Sequence, residues 1–235
     1  MIDSAAVSRI LPLCIGSRLT VPARQTFDAL ERDLSAHGNV TTFHEKFHES
    51  FAAAARTLGR EQIVLTAEDT AQLEQCGVDW PLSEALDELG RVAMLVMAAS
   101  RLAPSAFHSL VHRCYEHGDP HERRGILRAL PLVPDAERFL PMAVDACRSH
   151  IQPIFEAMAC ENPFPSVYFP ELNFNQMILK ALFTGTALRR VLGWETRTSP
   201  ELARMANDYA QERRSAGRSI PADLARLLGH TDAVR

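Results

Sequence analysis

Residues 160–183 read CENPFPSVYFPELNFNQMILKALF, and the reading of this stretch decides the fold. Pro163, Pro165 and Pro170 each fix φ and push the preceding residue toward extended backbone, so the segment opens as a stiff loop. From about Glu171 the pattern changes. Phe174, Met177, Ile178, Ala181 and Leu182 fall at i, i+3, i+4, i+7 and i+8, the spacing of a buried helix face. Asn173, Gln176 and Lys180 fall at i, i+3 and i+7, which stacks them as one polar stripe on the same helix. The stretch therefore predicts a proline-stiffened elbow feeding an apolar helix that carries one polar line.

The same logic extends in both directions. Downstream, residues 184–194 read as a further short helix. Ser199-Pro200-Glu201 then combines a cap, a first-turn proline and an acid, which predicts a helix start. That helix turns Leu202, Met205, Ala206 and Tyr209 inward, and a last helix covers about 221–228. Upstream, 104–118, 120–132, 134–148 and 151–160 read as helices of ordinary length separated by Pro- or Gly-bearing joints. Pro104 and Pro134 head similar blocks, with Ala106 and Leu110 in the first matching Ala136 and Leu140 in the second. This is a weak repeat of helix pairs, as in HEAT or armadillo stacks, with an irregular helical bundle as the competing architecture.

Towards the N-terminus the signals are local. Residues 1–20 are weakly patterned and read as loose chain or a short helix. Pro22 suits a first helical turn. Phe27, Leu30 and Leu34 then mark an amphipathic helix that stops near Ala36-His37-Gly38-Asn39. A second helix starts at a Thr41-Thr42 cap and lines up Phe43, Phe47, Phe51 and Ala54 before ending at Gly59. Thr66 and Asp69 form a capping pattern for a short helix closing at Gly77. Ser83, backed by Glu84, Asp87 and Glu88, opens a long helix to about Leu102. No stretch alternates with a period of two. The expectation is all-α: stacked helix pairs or an irregular bundle, in one domain over 1–235, with N-terminal helices in 1–103 and repeat-like helices in 104–235.

Composition excludes several classes. The chain has 235 residues, 46% hydrophobic and 23% charged, which suits a packed core rather than disorder. A net charge of −4 leaves no basic footprint for nucleic acid. The five cysteines, Cys14, Cys76, Cys114, Cys147 and Cys160, are scattered and form no CxxC pair, so they read as free thiols in a reducing compartment. The longest apolar run, 92–99, is far below the ~20 residues of a membrane helix. The N-terminus lacks the basic start of a signal peptide. The expected location is the cytoplasm.

For chemistry, His44-Glu45-Lys46-Phe47-His48 spells HExxH, which on a helix could place two zinc ligands and a general base. Against zinc stand the charge at Lys46, the absence of a marked third ligand among Glu61, Glu68 and Glu74, and a Phe stripe that leaves the His edge facing solvent. His108 and His112 repeat the i, i+4 spacing, yet read as half-exposed surface histidines. GxSxG, GxGxxG and P-loop patterns are absent, and no Cys sits in a nucleophile context. Lys180 is the better lead, because it is one of two lysines in the chain, set among Leu179, Ala181 and Leu182. A charge there needs a partner, for which Glu161, Glu171, Asp208 and Glu212 are candidates. The alternative is a lysine whose stem covers apolar surface while its amine reaches water. The ligand-binding set that follows is Glu161, Asn162, Tyr168, Phe169, Asn173, Asn175, Gln176 and Lys180. Amides beside one cation, with an aromatic wall, suit hydroxyl, carbonyl or carboxylate groups of a small molecule. No catalytic residue, metal or cofactor is assigned.

The segments ENPFPSVYFPELNFNQMILKALF, RGILRALPLVPDAERFLPMAVDAC, IQPIFEAMAC and SPELARMANDYAQERRSAGRSIPADLARLL together resemble the EboA-domain family. AAAARTLGREQIVLT and the Trp80 region resemble it more loosely. The resemblance implies a metabolite-traffic protein of bacterial secondary-metabolite clusters. Such proteins are encoded beside a prenyltransferase, sugar-type cyclase and barrel-hydrolase-like proteins, and are linked in some lineages to export of a sunscreen-pigment precursor. It supplies no catalytic residues, and HExxH is not part of its pattern. The expected function is a non-enzymatic protein that binds or hands on a small metabolite, possible partners being other proteins of the same cluster. The alternatives are a scaffold for pathway enzymes and, last, a zinc hydrolase through His44-Glu45-His48.

Overall fold

The computed structural model describes residues 2–35 and 40–233. It is all-α, and the described residues form no strand. Contacts group the chain into two compact units, Met1–Phe139 and Leu140–Arg235.

The first unit contains α1 (Ser4–Gly16), α2 (Val21–Ser35), α3 (Val40–Leu58), α4 (Ala67–Gln75), α5 (Leu86–Arg101), α6 (Pro104–His117) and α7 (Pro120–Ala129). Helix α5 is its axis, packed by α1, α2, α3, α6 and α7. Every residue of α5 from Leu86 to Ala98 is buried. A helix covered on all sides needs apolar residues all round, and the 92–99 run supplies them. The phenylalanine ladder of α3 forms as expected: Phe47 and Phe51 are buried, their ring centroids 5.7 Å apart. Gly125 lets α7 approach closely, since a Cβ there would meet the Cβ of Arg91 at 2.9 Å.

The long helix starts later than the acidic run suggests, at Leu86 rather than Ser83. Residues flanking Ala85 are held extended in an isolated bridge, with Ile63 N donating to Glu84 O at 2.8 Å and Leu86 N to Glu61 O at 3.0 Å. Asp87 and Glu88 therefore stand in the first turn, and they are buried. There Asp87 pairs with Arg91 at 2.8 Å and Glu88 with Arg124 at 2.8 Å. Arg91 also donates to Phe51 O at 3.1 Å. Buried charges persist only when paired in this way.

Other differences have similarly local causes. Residues 4–16 form a full helix because Asp3 caps it, accepting from Ala6 N at 2.9 Å. Thr66 and Asp69 make the expected capping box. Pro134 does not head a helix: Asp135 takes φ 51°, and a 3-10 turn over Ala136–Phe139 follows. The helix stop expected at Ala36–Asn39 falls outside the described residues, as do the side chains of Leu30, Leu34, Thr41 and Thr42.

The second unit contains α8 (Leu140–Arg148), α9 (Gln152–Ala159), α10 (Phe164–Tyr168), α11 (Glu171–Thr184), α12 (Pro200–Ser215) and α13 (Ala222–Ala233). Helix α8 packs on α9, α11 on α12, and α12 on α13. Ser199 caps α12 as expected, accepting from Leu202 N. The stretch 184–194 is not a helix. Gly185 at φ 74° ends α11 with a left-handed cap, and only Leu188–Arg190 recoil as a 3-10 turn.

Candidate functional site

The elbow at 160–170 is fixed by buried polar groups. Glu161 sits at φ 44°, uncommon for a residue with a Cβ, and its N–H donates to Arg190 O at 2.7 Å. Its carboxylate is held by Arg190, whose Nε is 2.7 Å away. Asn162 is 1% exposed and spans the turn, donating to Ala157 O at 3.0 Å and accepting from Phe164 N at 3.0 Å. Within the expected loop, Phe164–Tyr168 winds into a short helix. Arg197 ties it down by donating to Pro165 O and Phe169 O, both at 2.8 Å, with its guanidinium over the Phe174 ring.

Helix α11 leaves this elbow with its apolar face buried and its polar stripe turned toward the end of α8. Between the two lies a cleft of about 240 Å³, lined by Val144, Cys147, Arg148, Phe169, Asn173, Gln176, Met177 and Lys180. The stripe Asn173, Gln176 and Lys180 thus shares one cavity with Phe169. Glu161, Asn162, Tyr168 and Asn175 do not line it. The first two serve the elbow. Tyr168 packs on Phe164, ring centroids 4.7 Å apart. Asn175 is fully buried on another face of α11, donating to Ser199 Oγ at 3.3 Å while its Oδ1 has no partner.

Lys180 is paired differently from the expectation. None of Glu161, Glu171, Asp208 or Glu212 reaches it. Its Nζ donates to Cys147 O at 2.7 Å and Ser149 O at 2.6 Å and lies 4.6 Å from the centre of the Phe155 ring. Those carbonyls belong to the end of α8, where main-chain acceptors lack helical partners and the dipole favours a cation. Burial lowers the Lys180 pKa below the ordinary lysine value. Two accepting carbonyls and an aromatic face work against that shift and favour the ammonium. An ammonium has three donors, so one remains beyond the two carbonyls.

Sequence reasoning missed Arg148, Cys147 and Val144. Arg148 is exposed at the rim and forms no ion pair among the described residues. An arginine in the last turn of a helix looks like ordinary dipole complementation, so nothing in the sequence marked it. The lining therefore carries two cations, two amides and an apolar floor, with no carboxylate. Burial pushes the Cys147 thiol up to about 12, against a smaller opposing pull from Lys180. It stays protonated at neutral pH and is a poor nucleophile.

The histidine motifs take another form. His44 is not on a solvated edge: it is 7% exposed, and its Nε2 has no hydrogen-bond partner. Burial and the nearby Arg113 lower its pKa, which favours the neutral ring. His108 and His112 meet at a tilt with ring centroids 4.4 Å apart, and His108 stacks on Phe139. Among the described residues no group of three or more His, Cys, Asp or Glu could hold a metal ion. No helix among them is long and apolar enough to cross a membrane.

A protein-family model described as "Metabolite traffic protein EboA" matches residues 10–229. No curated protein and no solved structure matches the chain.

Proposed function

Since this chain belongs to the EboA family, we propose that it binds a small metabolite carrying a carboxylate, or a similarly anionic oxygen group, in the α8–α11 cleft and passes it on unchanged. The observation that supports this reading is the convergence of Lys180, Arg148, Asn173 and Gln176 on one cavity whose lining contains no acid. Two cations without a counter-charge attract an anionic oxygen. The amides supply both donors and acceptors for neighbouring oxygens. Phe169 and Met177 provide an apolar floor. The volume of about 240 Å³ lies below the usual ~300–1,000 Å³ of ligand pockets. It accommodates a small molecule or one end of a larger one.

The reading is non-enzymatic because the lining lacks a working acid–base or nucleophilic pair. Lys180 is tied to main-chain carbonyls, and the Cys147 thiol stays protonated. A reducing compartment fits the five cysteines, all buried and none in a disulfide.

The test is equilibrium dialysis of the protein against a small-molecule extract of its source cells, with retained compounds identified by mass spectrometry. Wild type should enrich at least one anionic compound. The doubly substituted Arg148→Ala/Gln176→Ala protein should lose that enrichment by about tenfold while its thermal midpoint stays put, since both side chains are exposed. Equal enrichment by both proteins would remove the cleft as the site.

A further inference from the structure

The first unit contains a second cleft of about 260 Å³, where α1, α2 and the last turn of α5 meet. Three arginines border it, one from each helix: Arg9, Arg24 and Arg101. Asp28 is the one carboxylate in its lining. It pairs with Arg24 at 3.3 Å, which leaves Arg9 and Arg101 as two exposed cations without an ion pair among the described residues. The Arg24 head is placed by a missing side chain. It lies across Gly16 of α1, and a Cβ there would overlap its guanidinium. The floor is apolar, formed by Phe27, buried at 3% exposure, and Met97 at 5%. Leu13 extends this surface outward, being 64% exposed.

We propose that this cleft is a separate binding site for an amphipathic anion: a phosphate or carboxylate head held between Arg9 and Arg101, with an apolar body over Phe27, Met97 and Leu13. Three features support it. Arginine presents a planar fork of donors that matches a carboxylate or phosphate in bidentate fashion. Arg9 and Arg101 border one cavity with no carboxylate paired to either among the described residues, so an anion there is attracted by both charges. The exposed Leu13 beside them leaves apolar surface that the body of such a ligand would cover, above the packed Phe27 and Met97. The same chemistry is found in a soluble aryl or alkyl phosphate and in an anionic lipid head with its first chain carbons. This site shares no residue with the α8–α11 cleft.

The experiment uses full-length protein labelled with ¹³C at the methionine methyls. Met97 reports this cleft and Met177 the other. Phenyl phosphate is the probe, with inorganic phosphate standing for its charged half and benzyl alcohol, a neutral aromatic, standing for its other half. The Met97 resonance should shift saturably with phenyl phosphate, and at least tenfold higher concentrations of either half should be needed for the same shift. Charge reversal in Arg9→Glu/Arg101→Glu should weaken the Met97 response at least tenfold and leave any Met177 response unchanged. Should that protein lose its fold by thermal melting, Arg101→Gln alone should still weaken the response several-fold. Flotation with vesicles of one part phosphatidylglycerol to three of phosphatidylcholine separates the sources. Flotation lost on charge reversal assigns the head group to a lipid, and no flotation assigns it to a soluble molecule. A silent Met97, a shift indifferent to charge reversal, or equal potency of inorganic phosphate or benzyl alcohol would overturn the proposal.

Discussion

Replacing Lys180 by Met tests how the α8–α11 cleft is held together. Met keeps most of the apolar stem, so the change isolates the ammonium. The folded protein loses the bonds to Cys147 O at 2.7 Å and Ser149 O at 2.6 Å and the contact with the Phe155 ring. Hydrogen bonds to charged groups contribute about 1.5–3 kcal/mol each, and a partly exposed cation–π contact about 1 kcal/mol. Two terms reduce that sum. The ammonium no longer has to be desolvated, the effect that lowers its pKa, and water can reach some of the vacated carbonyl positions at a half-exposed site. A net loss of about 2–3 kcal/mol remains. For a chain of this size, one kcal/mol moves the thermal midpoint by roughly 2–4 °C, so a fall of about 4–12 °C is expected. The assay is urea unfolding followed by circular dichroism, with a thermal scan beside it. A loss below about 0.5 kcal/mol would show that the amine does not secure the end of α8 and would refute this account of its placement.

Three further outcomes follow from other parts of the molecule. Asp87→Ala leaves Arg91 charged and buried, and should cost about 3–5 kcal/mol, whereas Asp87→Leu/Arg91→Met removes both charges and should be much milder; urea midpoints of the three proteins decide it. Burial raises the thiols of Cys114 and Cys147 to about 12 from an ordinary 9.0. The unfolded chain therefore ionises them first, so stability is intact below about pH 9 and falls between pH 9 and 12 by about 1.4 kcal/mol per pH unit for each thiol. Urea midpoints from pH 8 to 10.5 should decline, less steeply in Cys147→Ala, and a flat profile would contradict the burial of these groups. Asp69 is opposed by its own burial, but hydrogen bonds from Thr66 and Arg18 hold its carboxyl down to about 2. Asp69→Asn should cost about 1 kcal/mol at neutral pH and almost nothing below pH 2, where the wild-type group is also protonated.

The fold was legible wherever a local rule determines the local structure. The Phe43–Phe51 spacing, the Thr66–Asp69 capping box and the Ser199-Pro200-Glu201 start each specify a helix from a few neighbouring residues, and each helix is present. The errors lie where distant residues intervene. Asp87 and Glu88 are in the first turn as the sequence marks them, but the bridge at Gln62–Ala85 starts that helix later than Ser83, and arginines of α5 and α7 pair with both acids in the core. Residues 184–194 have helical composition, but the left-handed turn at Gly185 diverts the chain. The polar stripe of α11 was visible in the sequence because helical periodicity predicts which residues share a face. Which element it faces was not visible, so main-chain carbonyls of α8 replaced the expected acids around Lys180, and Arg148 went unmarked. Asn162 and Asn175 resemble ligand-facing amides in sequence, but burial gives one a turn-spanning role and sends the other toward Ser199.

The most direct examination of the α8–α11 cleft is the methyl resonance of Met177 in ¹³C-methionine protein, followed as the compound retained in dialysis is added back. Occupation of the cavity should move that resonance saturably at one equivalent in wild type, with no response in the Arg148→Ala/Gln176→Ala protein. Tight binding of the compound with Met177 unmoved would place the metabolite elsewhere and contradict the account.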